Sequence, residues 1–396
     1  MWKTVKLGEI CKFENGDRGK NYPSKKHQLT SGVPFINAGD LTSAGEISND
    51  GMAFISPERF NLLGSGKVKL NDILFCLRGS LGKCALNTEI TEGAIASSLV
   101  ILRPNVDVIL PEFLLYFLKS KFMAKLISDT AGGAAQPNLS AKVVSNYHFK
   151  LPPIAEQQRI VAKLDAAFAE IDELVKNTEA RLESAKAIFE NSVKRYFSIE
   201  SAQCEIKKLS EIATYFNGLT YSPKDVGETG TLVLRSSNIQ NGRMDFSDIV
   251  RVNKSIKEKL FVQPNDILIC SRNGSKALIG KCSLVGEQDE PMTFGTFMMI
   301  VRGENNNYLQ WFFKSKLFKE QIAQGENTAI NQITRYMLDD VMLPFPNTNI
   351  QAAIAKNLEA IDAEVRRLQV IYQNKIKELH SLKSAILAKE LQSEAA

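Results

Sequence analysis

The sequence predicts two mixed α/β (α+β) domains in tandem, joined by two long antiparallel helices that form a coiled coil. Three observations predict it. A collinear series of motifs recurs in the two halves, each half closes at a proline-containing hinge, and behind each hinge apolar residues step by four and three. The repeat makes the single chain a pseudo-two-fold dimer.

The repeat begins with Lys6-Leu7-Gly8-Glu9-Ile10 and Asn15-Gly16, matched at one common offset by Lys208-Leu209-Ser210-Glu211-Ile212 and Asn217-Gly218. Asn71-Asp72-Ile73-Leu74 returns as Asn265-Asp266-Ile267-Leu268. Arg78 and Gly82-Lys83-Cys84 return as Arg272 and Gly280-Lys281-Cys282, and Ile101-Leu102-Arg103 as Ile300-Val301-Arg302. The aromatic segment from Phe113 to Lys121 parallels Tyr308 to Lys316, and Leu151-Pro152 parallels Leu343-Pro344. One match could be chance, but a series in the same order is a duplicated unit.

Within each unit, short β-prone runs (Val33 to Ile36, Asp72 to Leu77, Ser97 to Leu102) lie between Gly, Asn and Pro punctuation. Pro111 suits the first position of a helix expected to run to about Ile127, before a polar loop and a last short run to Phe149. The expected segments are domain one at 1–150, the first long helix at 151–200, domain two at 201–343 and the second long helix at 344–396.

From Ile154 to about Ser198 the chain has neither Gly nor Pro. Val161, Leu164, Phe168, Ile171, Val175, Thr178, Leu182, Ala185, Phe189, Ser192 and Tyr196 form one heptad stripe. After Pro344 and Pro346 a second stripe reads Ile354, Leu358, Ile361, Val365, Leu368, Tyr372, Lys375, Leu379, Leu382 and Ile386. A helix of about 45 residues spans about 68 Å, longer than a small domain is wide, so pairing of the two stripes is expected to bury both. Chain order then requires the helices to run antiparallel. Thr178 and Lys375, as polar interruptions, are expected to fix the register.

Net charge is +5, mildly basic, which is compatible with nucleic acid without requiring it. No apolar run approaches the roughly 20 residues of a bilayer span, and the first ten residues contain no signal-peptide core. None of the six cysteines forms a C-x-x-C pair and only three His occur, so reduced, buried thiols in a cytoplasmic protein are expected and a metal site is not. The Pro152-Pro153 pair lacks the polar residue before it and the aromatic after it that adenine methylation needs, and neither Gly-Lys-Cys segment has P-loop spacing. No catalytic set and no cofactor are expected in this chain.

Two similar heads on a fixed spacer suit two half-sites on double-stranded DNA, about 34–36 Å apart or a multiple of that distance. The stretch Leu151-Pro152-Pro153-Ile154-Ala155-Glu156-Gln157-Gln158-Arg159-Ile160-Val161, preceded by Gln136-Pro137-Asn138-Leu139-Ser140, makes a further comparison possible. Through it the whole chain resembles the specificity subunit of a type I restriction–modification system. The second copy departs, with Leu343-Pro344-Phe345-Pro346 and Asn349-Ile350-Gln351 in the corresponding places. The resemblance implies that each target-recognition domain reads half of an asymmetric bipartite site and that the helix pair sets the gap. It also implies docking of two methyltransferase subunits carrying S-adenosylmethionine, with motor–nuclease restriction subunits joining them. A stand-alone sequence-specific DNA-binding protein and a coiled-coil interaction scaffold are the alternatives, separable by the salt and sequence dependence of binding.

Residue chemistry selects candidate contacts, since Arg suits guanine, Asn and Gln suit adenine, and Lys suits phosphate. In domain one these are Arg18, Lys20, Lys25, Lys26, Arg78, Lys83, Gln136 and Asn138. In domain two they are Arg235, Asn238, Arg272, Asn273, Lys276, Lys281, Asn331, Gln332 and Arg335. Arg78 and Arg272 lead, each following a strand and recurring in both halves.

Overall fold

A computed structural model of the chain describes residues 2–131, 138–199, 204–323 and 332–392. Backbone contacts divide it into two compact units, Met1–Thr178 with Lys375–Ala396, and Glu179–Asn374. Each unit holds one mixed α/β fold and a length of both long helices.

The first unit runs β1 (Lys3–Lys6), α1 (Leu7–Ile10), β2 (Cys11–Asn15), β3 (Val33–Ile36), β4 (Ala53–Ile55), α2 (Pro57–Asn61), β5 (Ile73–Cys76), β6 (Cys84–Leu86), β7 (Ala94–Ile95) and β8 (Leu99–Pro104). Then come α3 (Pro111–Leu118), α4 (Lys121–Ala131), α5 (Ala141–Ser145), β9 (His148–Leu151) and the long α6 (Ile154–Tyr196). A four-stranded antiparallel sheet has the order β2-β8-β5-β6, beside a three-stranded sheet β4-β3-β7. Strand β9 pairs antiparallel with β1, Lys3 opposite Leu151, closing the end of the fold onto its start.

The run Ile73-Leu74-Phe75-Cys76 is apolar throughout because its sheet is covered on both faces. Ile73 and Phe75 face a core with Phe113, Leu114 and Phe117, while Leu74 and Cys76 face another with Ile36, Leu41 and Ile101.

The second unit repeats the plan with β10 (Ile206–Lys208), α7 (Leu209–Ile212), β11 (Ala213–Asn217), β12 (Val226–Gly227), β13 (Thr231–Leu234), β14 (Ile239–Gln240), β15 (Arg243–Met244) and β16 (Arg251–Val252). It continues through β17 (Ile267–Cys270), β18 (Cys282–Leu284), β19 (Met292–Phe294), β20 (Met298–Gly303), α8 (Asn306–Phe313), α9 (Lys316–Ala323), α10 (Arg335–Asp339), β21 (Met342–Pro344) and α11 (Thr348–Gln392). Its main sheet, β11-β20-β17-β18, has the same connectivity, and Ile267 and Ile269 again face one core while Leu268 and Cys270 face another.

The recurring motifs now have physical reasons. Asn71 and Asn265 sit at φ of 68° and 66°, a left-handed conformation that Asn tolerates. Asp72 and Asp266, which follow them, are buried partners of Arg103 and Arg302. The repeated Asn-Gly exists because Gly16 and Gly218 abut backbone. A side chain on Gly218 would lie 2.0 Å from the Gly295 carbonyl oxygen, and one on Gly16 2.8 Å from that of Ala96.

The single helix expected from Pro111 to about Ile127 is instead two, α3 and α4. Ser120 explains the break: its Oγ accepts the Met123 N–H at 3.2 Å and starts a new helix, as Ser315 does for Phe318 at 3.2 Å.

In the first unit the lengths of α6 and α11 run antiparallel. Arg159 and Lys163 both reach Glu390, at 3.4 and 2.7 Å, and farther along α6 Asp172 meets Lys383 at 2.6 Å, earlier in α11. Ile171, Val175 and Leu379 form the apolar contact between them, with Ile376 and Ile386 at its edge. The stripe also serves the domain. Leu164 and Phe168 enter the main core, joined by Ile160 and Leu387, and Val161 packs against its edge. In the second unit Val193 and Phe197 share a core with Ile354, Ala355 and Leu358, and Phe189 meets Trp311 edge-on at 5.8 Å.

Val365 is buried, whereas Leu182, Ile361, Leu368 and Tyr372 are half-buried. Leu382 departs from its expected place: it is 48% exposed, and its neighbour Lys383 turns inward over the Phe168 ring. The polar interruptions also differ from expectation. Thr178 is buried but donates its hydroxyl to Leu174 O in its own helix, and Lys375 is exposed. Among the described residues no helix is long and apolar enough to cross a membrane.

Candidate nucleic-acid interface

In the second unit four chain segments converge on a groove of about 570 Å³. Asn217 comes from the end of β11, Ser271 and Arg272 from the exit of β17, and Thr296 and Phe297 from the turn between β19 and β20. Gln332 to Thr334 and the first turn of α10, with Arg335 and Tyr336, complete it. The closing contact is an isolated antiparallel bridge between Arg272 and Gln332, in which Ile333 N–H donates to Ser271 O at 2.6 Å. The Arg272 guanidinium lies over the Phe297 ring, 5.5 Å from its centre. Asp339, which also lines the groove, accepts the Tyr215 hydroxyl, and burial, then this carboxylate, raises the phenol well above its ordinary pKa.

The first unit repeats the closure. Arg78 bridges Asn138, its Nε donating to Asn138 Oδ1 at 3.3 Å, and Leu139 N–H donates to Leu77 O at 3.0 Å. Exposed Arg78 and Arg272 therefore each stand beside a side-chain amide, on backbone fixed by the neighbouring buried Leu139 or Ile333.

The other candidates separate by what their side chains already hold. Lys20, Lys25, Lys26 and Lys276 are exposed, and exposed Arg18 donates to Ser97 O at 3.1 Å. Lys83 and Lys281 are half-buried and tie the Gly-Lys-Cys turn to a neighbouring loop, donating to Ala38 O at 3.1 Å and Ser236 O at 3.3 Å. Arg235 pairs with Asp248 at 2.7 Å, and half-buried Asn273 donates to Ser236 Oγ and caps Ser275 N–H. Asn238 departs from its expected role. It is fully buried, donating to Asp245 O and Asp248 O and accepting the Arg235 N–H, so it shapes a loop and presents nothing outward. Gln136 and Asn331 lie outside the described residues.

Residue chemistry alone passed over Asn217, Thr296, Phe297 and Tyr336. Asn217 carried a signal, its place in the repeated Asn-Gly; the two aromatics carried none, because only their exposure distinguishes them from core residues.

Comparison with known proteins places the chain in a family and gives relatives of its fold. The family described as type I restriction modification DNA specificity domain matches residues 1–184 and again 202–378. The EcoKI specificity subunit of Escherichia coli K12 is 25% identical over 99% of this chain and 89% of its own length. The MjaVIII specificity subunit of Methanocaldococcus jannaschii is 22% identical over 92% of this chain and 88% of its own. Among solved structures, a chain from work on complex assembly and conformational transition of the type I R-M system superimposes with a TM-score of 0.81 at 19% identity, over 98% of this chain and 97% of that one. The HsdS subunit from Thermoanaerobacter tengcongensis gives 0.57 at 19% identity, over 99% and 96%. At such identities the structural likeness shows a shared fold.

Proposed function

Since the chain belongs to the type I restriction modification DNA specificity domain family, we propose that it is the sequence-reading, non-catalytic subunit of a restriction–modification complex. Each unit reads one half of an asymmetric bipartite site in double-stranded DNA. One observation carries the assignment of the reading surface: the Arg–amide bridge that recurs as Arg78–Asn138 and Arg272–Gln332. Arginine offers two parallel donors to guanine O6 and N7, and Asn or Gln pairs with adenine N6 and N7. Backbone pairing sets them side by side, which positions two readers for successive bases. Exposed Lys20, Lys25, Lys26 and Lys276, the last of them four residues from Arg272, suit phosphate.

The long helices set the gap between half-sites and dock two methyltransferase subunits, and S-adenosylmethionine belongs to those subunits. Motor–nuclease subunits join for restriction, and the complex works in the cytoplasm. The test is to express the chain with a cognate methyltransferase subunit in a host lacking other DNA methylation and map modified adenines genome-wide. A split, asymmetric motif that requires both proteins is the expected result. A stable complex that methylates nothing would favour an interaction scaffold, and tight specific binding by the chain alone a stand-alone DNA-binding protein.

A further inference from the structure

We propose that the second unit reads a thymine in its half-site through the rings of Phe297 and Tyr336, a contact the first unit does not make. The inference rests on the DNA-reading function proposed above and adds the base class and the residues.

Both rings stand in solvent, Phe297 54% and Tyr336 83% exposed, and both line the groove that holds Arg272 and Gln332. Neither is exposed because its backbone is loose. The Phe297 carbonyl accepts Ser271 N–H at 2.9 Å, Arg272 N–H at 3.1 Å and Ser271 Oγ–H at 3.0 Å. Tyr336 is the second residue of α10, whose start is capped by Thr334 Oγ1 accepting Met337 N–H at 3.3 Å and whose Leu338 is fully buried. Two aromatic side chains set in water on fixed backbone add nothing to the core, and they gain by contact with an apolar surface.

The internal repeat supplies a control. Leu77 N–H donates to Ser98 O at 2.8 Å as Ser271 N–H donates to Phe297 O, so Ser98 stands where Phe297 does. The second residue of α5 is Lys142, where α10 has Tyr336. The fold is thus built without either ring, and their presence in one unit alone marks a difference in what the two units touch. In the major groove the apolar feature that distinguishes one base is the 5-methyl group of thymine, and aromatic side chains meet it. Phosphates offer the aromatic faces nothing, and only the Tyr336 hydroxyl could donate to one, which Tyr336→Phe removes. Arg272, held over Phe297, places a guanine reader beside the methyl contact.

The test uses the complex of the chain with its methyltransferase subunits, on duplexes carrying the mapped motif. Each thymine on either strand is replaced singly by deoxyuridine, which removes only the methyl group, and affinity is measured for wild type and for Phe297→Ala/Tyr336→Ala. We expect one replacement to weaken wild type about fourfold, the effect of one buried methyl, and to leave the double variant unchanged. Phe297→Leu/Tyr336→Phe should keep the sensitivity, and thermal unfolding should match wild type in every variant. Equal response of wild type and the alanine variant at every thymine overturns the inference while specific binding stands. A gain of 2-aminopurine fluorescence at an aromatic-dependent step without uracil sensitivity also overturns it, in favour of a stacking wedge. Absence of any sequence-specific binding by wild type overturns the function proposed above as well.

Discussion

Asp72 holds Arg103 with both carboxylate oxygens, each 2.7 Å from a guanidinium nitrogen, and takes the Lys69 N–H at 2.7 Å as well. Asp72 is fully buried, and Asp266 repeats the grip on Arg302 at 2.7 and 2.9 Å. Breaking such a pair removes two of the bonds of a guanidinium that is only about one-fifth exposed and leaves it Glu14, at 3.3 Å, as its remaining carboxylate partner. Asp72→Ala should therefore cost about 3 kcal/mol, read as a shift in urea unfolding, and Arg103→Met in the same chain should restore part of it. A double variant no more stable than Asp72→Ala alone would show that the pair is not the source.

Leu379 and Leu382 lie three residues apart on one helix, but only Leu379 is buried against Ile171 and Val175. Leu379→Ala should cost about 2–4 kcal/mol, whereas Leu382→Ala should stay within about 0.5 kcal/mol. Thermal or urea unfolding decides it; equal losses would return Leu382 to the pairing stripe.

Arg272→Ala should weaken binding to the cognate duplex by about 1–3 kcal/mol and relax discrimination at one position in one half-site. Lys276→Ala should weaken all duplexes alike and reduce the slope of log K against log salt by about 1. Titrations of the methyltransferase complex at several salt concentrations separate the two behaviours.

Burial pushes the Cys11 and Cys84 thiols up to about 12 and Cys282 up to about 11, while Cys204 is only half-buried. At pH 8 iodoacetamide should modify Cys204 first and leave the other three intact until unfolding, as peptide mass spectrometry would show. A thiol raised in the folded state stays protonated after the unfolded chain ionises. Its contribution to stability is thus intact below the ordinary thiol range and is lost as pH rises toward 11–12. The urea midpoint should fall above about pH 9, less steeply when all three are Ala. An unchanged slope would assign the fall to other groups.

Much of the fold is legible in the residues because the repeat duplicates physical devices. Asn before Asp marks a left-handed turn feeding a buried ion pair, and Asn-Gly marks a backbone approach too close for a side chain. The long helices are legible as stretches free of Gly and Pro. Ser120 shows the limit: the apolar pattern continues through it, but its hydroxyl caps a new helix, and periodicity does not register a cap inside a run. The candidate site was half legible. Arg78, Arg272, Asn138 and Gln332 follow from residue chemistry, whereas Asn238 has the right chemistry and the wrong exposure.

By itself the sequence determined the tandem architecture and the two helices, because these rest on order, composition and spacing along the chain, and the motif residues Leu151 to Val161 carried the resemblance to the family. Tertiary structure alone decided which side chains meet and which face outward. Arg78 reaches Asn138 across 60 residues through a β-bridge, and Phe297 stands in solvent because three hydrogen bonds fix its backbone at a strand turn. Spacing constrains the faces of one element; the convergence of loops depends on how distant elements pack, and that is where exposure, and with it recognition, is set.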